Sequence, residues 1–403
     1  MLVQFSFKNY GPFKEEAVFD MRAVKAYKEH PHTLIDVPKG DPLLKVAAIY
    51  GANASGKTCF TDAYSCFVHL ARNSFQQNNK DEKESVLKDL YFPFLLDDQS
   101  DALDIEFEGI YAQDGYEYRY GYAFNNKCIA SEWLYTRSSP SVRESFIFER
   151  TNEEIKLGGS VRRTCEKYLA DIDEDVLVLS FFSSLKMSNP VFRNTMMNLM
   201  SVLPISVEGS TETDDVLEQY FGRIYSEKEK APLLRFLNGI DVGIRDIEVE
   251  KNEKNGRVQV NSVHRGKDGQ LYLFPISLES DGTRRAIALY SYVRLAILMG
   301  KGLIIDEFNS QLHPLLQKYI VDLFYEEGST GQLIYTTHDT TFLDKRYVRR
   351  DQIWFVSKDE NGESTMYSLA DFKLRNDKSF DKDYLSGAFG GIPILKDISL
   401  KEE

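Results

Sequence analysis

The stretch GANASGKT, from Gly51 to Thr58, decides the fold of this chain. It follows an apolar run, Val46 to Tyr50, with the composition of a buried strand, and a helix-compatible stretch, Phe60 to Leu70, comes after it. Glycines let successive backbone N–H groups of such a loop turn towards phosphates, and a lysine adds positive charge. The sequence therefore predicts that a nucleoside triphosphate is bound by Gly51, Ala52, Asn53, Ala54, Ser55, Gly56, Lys57 and Thr58.

A second apolar strand, Gly302 to Glu307 (GLIIDE), ends in two adjacent carboxylates. Alone, this pattern would be better interpreted as a solvated turn. Downstream of a phosphate loop, Asp306 is placed to hold the shell of Mg²⁺ through water, and the Thr58 hydroxyl offers a ligand to the same ion. Glu307 is then the natural general base for an attacking water.

Two further motifs carry polar side chains at the ends of apolar segments. Ser280 and Gly282 open an apolar-periodic helix, where a hydroxyl, unpaired N–H groups and the positive end of the helix dipole suit an anion. An ordinary N-cap is the alternative interpretation of this serine. The strand LIYTTHD, Leu333 to Asp339, delivers His338 at its end. A lone histidine is usually a surface or core residue, but beside a nucleotide site His338 is predicted to sense the γ-phosphate.

The order of these motifs resembles the ATP-binding-cassette superfamily in its RecF and SMC-like branch. The opening segment FSFKNYGPF, Phe5 to Phe13, resembles the first strand and turn of that branch. The chain is also similar to compact bacterial ATPases of the RloA and AbiLi type, which share SDGTRR, Leu312-His313-Pro314 and the segment Tyr384 to Pro393. The resemblance implies an α/β fold: an ABC-type P-loop ATPase head, with a mixed sheet and flanking helices, an inserted and mainly helical lobe, and no long coiled coil.

The resemblance also implies an activity. ATP and Mg²⁺ would be the cofactors, with Lys57, Glu307 and His338 in catalytic roles. Two chains would close head to tail around two ATP molecules, with Ser280 and Gly282 acting on the neighbour. The implied role is that of a sensor or regulatory subunit of a bacterial anti-phage, abortive-infection system that controls a separately encoded effector such as a nuclease or toxin. A RecF-like DNA-repair ATPase that clamps DNA is the alternative, and a module that binds ATP structurally is the third interpretation.

Three positions depart from the family pattern. Asn309 stands where the SMC-like pattern usually has an aspartate, and Ala388 stands where these ATPases have a basic residue. Gln99 is only a candidate for the glutamine that such proteins place beside the nucleotide.

Charge restricts any contact with nucleic acid. The 403 residues include 62 acidic and 49 basic side chains, which gives a net charge of −13. DNA would therefore need a local basic patch. The candidates are Arg162-Arg163, Arg284-Arg285, Lys345-Arg346 and Arg349-Arg350, although such pairs are most often solvated surface features.

Cysteine content and hydropathy indicate the cellular compartment in which the protein is expected. Four cysteines without Cys-x-x-Cys spacing argue against a zinc site and favour a reducing compartment. No run approaches the ~20 apolar residues of a membrane span, and no cleavable signal is recognised. We therefore expect a cytoplasmic protein without a membrane partner.

Hydrophobic periodicity predicts three regions. Residues 1–150 form the first half of the head, with antiparallel strands that turn at Asp114-Gly115. Residues 151–240 form an inserted helical lobe, with helices over 176–185, 191–203, 216–221 and 228–237. Residues 241–403 form the second half, with strands near 247–250, 257–264 and 271–274, a turn at 253–256, and a final hairpin around Asn361-Gly362.

Overall fold

The computed structural model describes residues 1–77, 86–97, 99–100, 103–185, 189–205, 210–251, 258–373 and 379–393. These residues form a mixed α/β structure built on two large sheets, one antiparallel and one mostly parallel. The predicted fold class, a P-loop ATPase head with mixed sheets and flanking helices, is confirmed. The longest described helix has 21 residues, so that the described part of the chain contains no long coiled coil.

The antiparallel sheet has seven strands in the order β10-β9-β8-β7-β6-β1-β2. Its strands are β1 (Leu2–Lys8), β2 (Ala17–Asp20), β6 (Ile105–Gln113), β7 (Tyr116–Phe124), β8 (Ile129–Arg137), β9 (Ser145–Arg150) and β10 (Ile155–Leu157). The predicted turn between β6 and β7 is confirmed, because Asp114 and Gly115 both have positive φ, 51° and 77°. Of the tyrosines that alternate along β7, Tyr118, Tyr120 and Tyr122 are buried, and Tyr116 beside the turn is exposed.

The second sheet has six strands in the order β11-β15-β16-β5-β17-β18. Its strands are β5 (Val46–Gly51), β11 (Val202–Ile205), β15 (Gly302–Ile305), β16 (Gln332–Thr337), β17 (Ile353–Lys358) and β18 (Ser364–Ser368). All neighbours are parallel except β17 and β18, which form the predicted hairpin around Asn361-Gly362. Carboxyl ends of parallel strands share one edge, so the ends of β5, β15 and β16 lie together.

The remaining strands lie outside these two sheets. β3 (Leu34–Ile35) pairs with β4 (Leu43–Leu44), and a three-stranded sheet comprises β12 (Ile244–Lys251), β13 (Val258–Arg265) and β14 (Leu271–Pro275). All five residues of β14 are exposed, including four large apolar side chains. The predicted turn at 253–256 falls outside the described residues.

The helices cover both faces of the parallel sheet. They are α1 (Lys57–Gln77), α2 (Val86–Leu90), α3 (Gly159–Cys165), α4 (Val178–Ser184), α5 (Pro190–Leu199), α6 (Ser210–Gln219), α7 (Glu227–Gly239), α8 (Asp281–Met299), α9 (Pro314–Tyr325) and α10 (Phe380–Leu385). None of the described helices is long and apolar enough to cross a membrane.

Two hydrophobic cores follow from the alternation of side chains along β5. Ala47 and Ile49 face one core, which contains α1, α4, α5 and the antiparallel sheet. Val46, Ala48 and Tyr50 face the other, which contains α7, α8 and α9. Helix α1 therefore lies between the two sheets, and its amino end is held at the edge where β5 ends.

The inserted segment is mainly helical, with one exception. The predicted helix over 191–203 is wrong at its end: α5 stops at Leu199, and Val202–Ile205 forms β11, which pairs in parallel with β15. The run of apolar residues concealed the change from helix to strand. The helices on either side of β11 pack on different cores, since α4 and α5 contact α1 whereas α6 and α7 contact α8.

Candidate nucleotide site

The phosphate loop joins the end of β5 to the start of α1. Ala54 and Gly56 have positive φ, 61° and 108°, a conformation that curls the loop. A Cβ at Gly56 would lie 3.1 Å from atoms of Phe13, Pro12 and Ser364, so a side chain does not fit without displacement. This part of the sequence folds as predicted because glycine occupies a crowded, left-handed position.

Lys57 lies almost buried inside this loop, with 5% of its surface exposed. Its Nζ donates to the carbonyl oxygens of Gly51 at 2.9 Å and Ala52 at 3.1 Å. Burial lowers the pKa of Lys57, while the charges of Glu307 and Asp306 act in the opposite direction. The ammonium is thus held by weak, neutral acceptors that phosphate oxygens could replace.

Five of the eight predicted loop residues meet Glu307 of the acidic strand at one cavity, whereas Gly51, Ala52, Ser55 and Asp306 do not line it. Its volume is about 490 Å³. It is lined by Pro12, Asn53, Ala54, Gly56, Lys57, Thr58, Cys59, Glu307 and His338. Residues from three separate strand ends therefore converge on one space, as expected for a parallel sheet.

The acidic strand end is fixed by a threonine that the sequence analysis did not single out. Thr336, on β16, donates from Oγ1 to Asp306 Oδ1 at 2.5 Å and accepts from the backbone N–H of Glu307 at 2.8 Å. Asp306 is buried, with 6% exposed, and Glu307 has a φ of 46°. The signal that could have found Thr336 is its position opposite Asp306 on the neighbouring strand.

His338 and Glu307 face each other. His338 Nδ1 lies 3.6 Å from Glu307 Oε2, and Nε2 lies 3.2 Å from the side-chain nitrogen of Asn309. The histidine remains more than half exposed and the glutamate is 30% exposed. Both can therefore reach a ligand in the cavity.

Ser280 and Gly282 are not among the residues that line this cavity. Ser280 is exposed and caps α8, accepting from the N–H of Thr283 at 3.1 Å. A Cβ at Gly282 would meet the carbonyl oxygen of Gln311 at 3.1 Å. Within one chain, Ser280 is therefore an ordinary N-cap of α8, which was the alternative to an anion-binding role.

The hydrogen-bonding and charged groups of the site suit a nucleoside triphosphate bound together with Mg²⁺. The side-chain oxygen of Ser55 is buried without a hydrogen-bond partner in the described structure. Thr58 and Asp306 would hold the ion, because Mg²⁺ in such sites takes one or two protein oxygens together with phosphates and water. Burial and then the charge of Asp306 raise the pKa of Asp62, which lies on α1 with Thr58.

Three arginines of the four proposed basic pairs are wrong as nucleic-acid contacts because they are buried, whereas Arg350 is half-buried. Arg285 is fully buried and donates to the carbonyl oxygen of Glu307, and Arg284 is buried and pairs with Asp214. Arg349 is 1% exposed and pairs with Asp351. Periodicity did not reveal this, because a charged side chain on a buried helix face looks like a surface residue in sequence.

Arg162-Arg163 and Lys345-Arg346 are exposed, although Arg346 pairs with Asp344. Gln99 is also exposed and does not line the cavity. The four cysteines are all free thiols. In the described residues no group of three or more His, Cys, Asp or Glu side chains could hold a metal ion.

The fold and the phosphate loop define a P-loop ATPase head. A family model described as "AAA domain, putative AbiEii toxin, Type IV TA system" matches residues 46–344, and the chain belongs to this family. The match spans both halves of the site, from β5 to beyond His338.

The comparison with curated proteins gave no match. Among solved structures, the SMC head domain from Thermotoga maritima is similar at 14% identity with a TM-score of 0.41, over 91% of this chain and 98% of that one. The Smc head domain of Pyrococcus furiosus with an extended coiled coil, bound to the C-terminal domain of ScpA, is similar at 14% identity with a TM-score of 0.38, over 91% and 96% of the two chains. Similarity at this level carries no argument about activity or partners.

Proposed function

We propose that this protein is an Mg²⁺-dependent ATP hydrolase that dimerises around ATP. The observation that carries the proposal is the convergence of Lys57, Glu307 and His338 on one cavity beside the phosphate loop. The loop binds the phosphates through backbone N–H groups, and Lys57 exchanges its two carbonyl acceptors for phosphate oxygens. Thr58 and Asp306 would hold Mg²⁺, and the bound ion would neutralise charge on the phosphates.

Glu307 is the proposed general base. Its carboxylate reaches the cavity, and its backbone is fixed by Thr336, so it can accept a proton from a water that attacks the terminal phosphorus. His338, whose Nδ1 lies 3.6 Å from Glu307 Oε2, lines the same cavity and donates a hydrogen bond to the γ-phosphate. Both roles are specific to the triphosphate, because a diphosphate lacks the group that they contact.

A second chain completes the site in this proposal. Ser280 and Gly282 lie at the amino end of α8 and do not line the cavity of their own chain, so in this proposal they act on the nucleotide of a partner chain. The terminal phosphate then links two chains, and hydrolysis weakens the link, as in other nucleotide-ordered switches.

Mixing two inactive variants tests this geometry. Lys57→Ala removes the phosphate-loop side of a site, and Ser280→Arg removes the side supplied by the partner. A mixed dimer of the two variants contains one intact site, so an equal mixture should recover about a quarter of wild-type turnover from two inactive proteins. ATP hydrolysis in the mixture, compared with each variant alone, measures this recovery.

The matched control combines Lys57→Ala with Glu307→Gln. Both residues lie on the same side of one site, so every site in that mixed dimer carries a defect and turnover should stay absent. Recovery in the control, or full activity of Ser280→Arg alone, would contradict a site shared between chains.

We further propose that the ATPase is a cytoplasmic sensor or regulatory subunit of an anti-phage, abortive-infection system and controls a separate nuclease or toxin. The family description, which names a toxin of a type IV toxin–antitoxin system, supports this direction, and the four free thiols suit a reducing compartment. Capture of partners by the ATP-trapped Glu307→Gln protein in its native host tests it. Co-purification of one effector only in the presence of ATP is the expected result.

A RecF-like DNA clamp is the alternative function. It is less favoured because Arg284, Arg285 and Arg349 are buried. Turnover measured with and without DNA at two salt concentrations separates the two functions, since a DNA clamp should show salt-sensitive stimulation.

A further inference from the structure

His338 is held by a side chain for which the proposed hydrolysis mechanism has no role. Asn309 follows the acidic pair by two positions, and its Nδ2 lies 3.2 Å from His338 Nε2. On the other side of the ring, Nδ1 faces Glu307 Oε2 at 3.6 Å. The imidazole thus lies between an amide and a carboxylate.

The orientation of the Asn309 amide is fixed by Thr337. The hydroxyl of Thr337 donates to Asn309 Oδ1 at 2.8 Å and accepts from the backbone N–H of Asp339 at 3.0 Å. The amide oxygen therefore faces Thr337, which leaves the NH₂ group to face the histidine. An amide nitrogen only donates, so His338 Nε2 must be the acceptor and the ring proton must be on Nδ1.

We propose that Asn309 is a positioning residue that holds His338 as the neutral Nδ1–H tautomer. The single N–H of the ring then points to the side of Glu307 and the cavity, where a terminal phosphate would accept it. This inference deepens the proposed function, on which its catalytic part rests. The tautomer itself rests only on the contacts that Asn309 makes with Thr337 and His338.

A carboxylate at this position would have the opposite effect. An aspartate in place of Asn309 would accept from Thr337 with one oxygen, and its other oxygen could not donate to His338. Nε2 would then have to carry a proton, either in the other neutral tautomer or in a positive ring. A positive ring would pair with Glu307 and occupy the oxygen that must receive the proton of water. Asparagine avoids both effects, which gives a chemical reason for the departure at Asn309.

Nitrogen NMR of the nucleotide-free protein tests the tautomer. The protein labelled with ¹⁵N in its six histidines gives two ring nitrogens per histidine, and His338→Gln identifies the pair that belongs to His338. We expect a pyrrole-type Nδ1 and a pyridine-type Nε2 in the wild type. In Asn309→Asp, Nε2 should become protonated, and in Thr337→Val the two tautomers should mix because the amide can rotate.

Asn73→Asp is the matched control. Asn73 Nδ2 lies 3.3 Å from His69 Nδ1 on α1, so the same substitution is made beside another histidine, remote from the cavity. It should leave the His338 signals and turnover unchanged. Asn309→Asp should lower kcat by about ten-fold with little change in KM for ATP, since it alters the reactive groups and not the phosphate loop.

The outcomes separate the two proposals. A wild-type His338 protonated on Nε2, or ring signals unchanged in Asn309→Asp, would overturn the role of Asn309. An Nδ1–H tautomer in a wild-type protein that hydrolyses no ATP would instead leave the tautomer assignment standing and reject the proposed hydrolase.

Discussion

Arg285 donates a hydrogen bond from its guanidinium to the backbone carbonyl oxygen of Glu307, over 3.1 Å. Arg285 is fully buried on α8, the helix that begins after Ser280. The N–H of Glu307 donates to Thr336 on the other side, so both flanking peptide groups are held. These contacts stabilise the positive φ of Glu307, a conformation that costs a residue with a side chain about 1–2 kcal/mol. The conformation of the proposed base is thus set by α8 and β16 together.

Replacing Glu307 by glutamine should reduce ATP turnover by about a hundred-fold or more, because the amide cannot accept the proton of the attacking water. ATP binding should persist, and the ATP-bound dimer should last longer. Steady-state hydrolysis and light scattering after size-exclusion chromatography measure the two effects. Glu327→Gln, an exposed change of the same kind, serves as control. Normal turnover of Glu307→Gln would show that another group is the base.

Replacing Gly56 by alanine should weaken ATP binding by about ten-fold to a hundred-fold. The new Cβ would meet Pro12, Phe13 and Ser364 at 3.1 Å, in a backbone conformation with φ of 108°. A strain of about 1–3 kcal/mol would move the loop away from its phosphate-binding form. Titration calorimetry with ATP and Mg²⁺ measures the loss. Gly159→Ala, where no atom lies within 4 Å of the added Cβ, should bind as the wild type does. Equal ATP affinity of the two variants would show that a Cβ at position 56 is accommodated without strain.

Glu132 should make stability depend on pH. It is fully buried and accepts from the hydroxyl of Tyr120 at 2.9 Å and from the N–H groups of Val178 at 2.6 Å and Leu179 at 3.0 Å. Burial raises the pKa of Glu132 from 4.5 to about 7, although these donors and Arg150 act to lower it. Because the folded pKa is the higher one, the stabilising contribution is complete below the unfolded pKa and is lost as pH rises towards the folded value.

Glu132→Gln should remove this dependence, since glutamine is neutral at every pH. Between about pH 5 and about pH 7.5, the free energy of unfolding of the wild type should fall relative to the variant by about 2 kcal/mol. Urea denaturation at the two pH values measures the difference. A parallel change in both proteins would show that Glu132 titrates at its ordinary value.

Arg349→Met should destabilise the fold strongly. The guanidinium binds both carboxylate oxygens of Asp351, at 2.9 and 2.7 Å, and three carbonyl oxygens. Its loss would leave the buried carboxylate of Asp351 without a counter-charge, with the N–H of Val24 still donating to it, at a cost of about 3–5 kcal/mol in the free energy of unfolding. Arg346→Met breaks an exposed pair with Asp344 and should cost much less, because solvent screens that pair. Urea denaturation of both variants checks the contrast, and equal losses would contradict it.

Much of the fold could be predicted because local chemistry determines it. Asp114-Gly115 and Asn361-Gly362 are turn sequences that suit positive φ, and both hairpins form where they were predicted. The phosphate loop also stands between a strand and a helix, as its composition required.

Other parts of the fold could not be predicted, because they depend on contacts with residues that are remote in sequence. Val202 and Leu203 are predicted to end a helix because their apolar side chains continue those of α5, and only pairing with β15 makes Val202–Ile205 a strand. Arg285 and Arg349 could not be recognised as buried, because their partners are Glu307, on another strand end, and carbonyl groups near residue 27. The role of Thr336 could not be predicted for the same reason, because it depends on the position of Thr336 beside Asp306 on the neighbouring strand.

The short strand β11 has a practical consequence for dividing the chain. Val202–Ile205 closes one edge of the parallel sheet beside Gly302–Ile305. A fragment that begins after it would expose a bare row of backbone donors and acceptors on β15, an edge that attracts other strands and promotes aggregation. Any attempt to express the carboxyl-terminal half alone should therefore begin upstream of Val202 and not at the nominal end of the inserted segment.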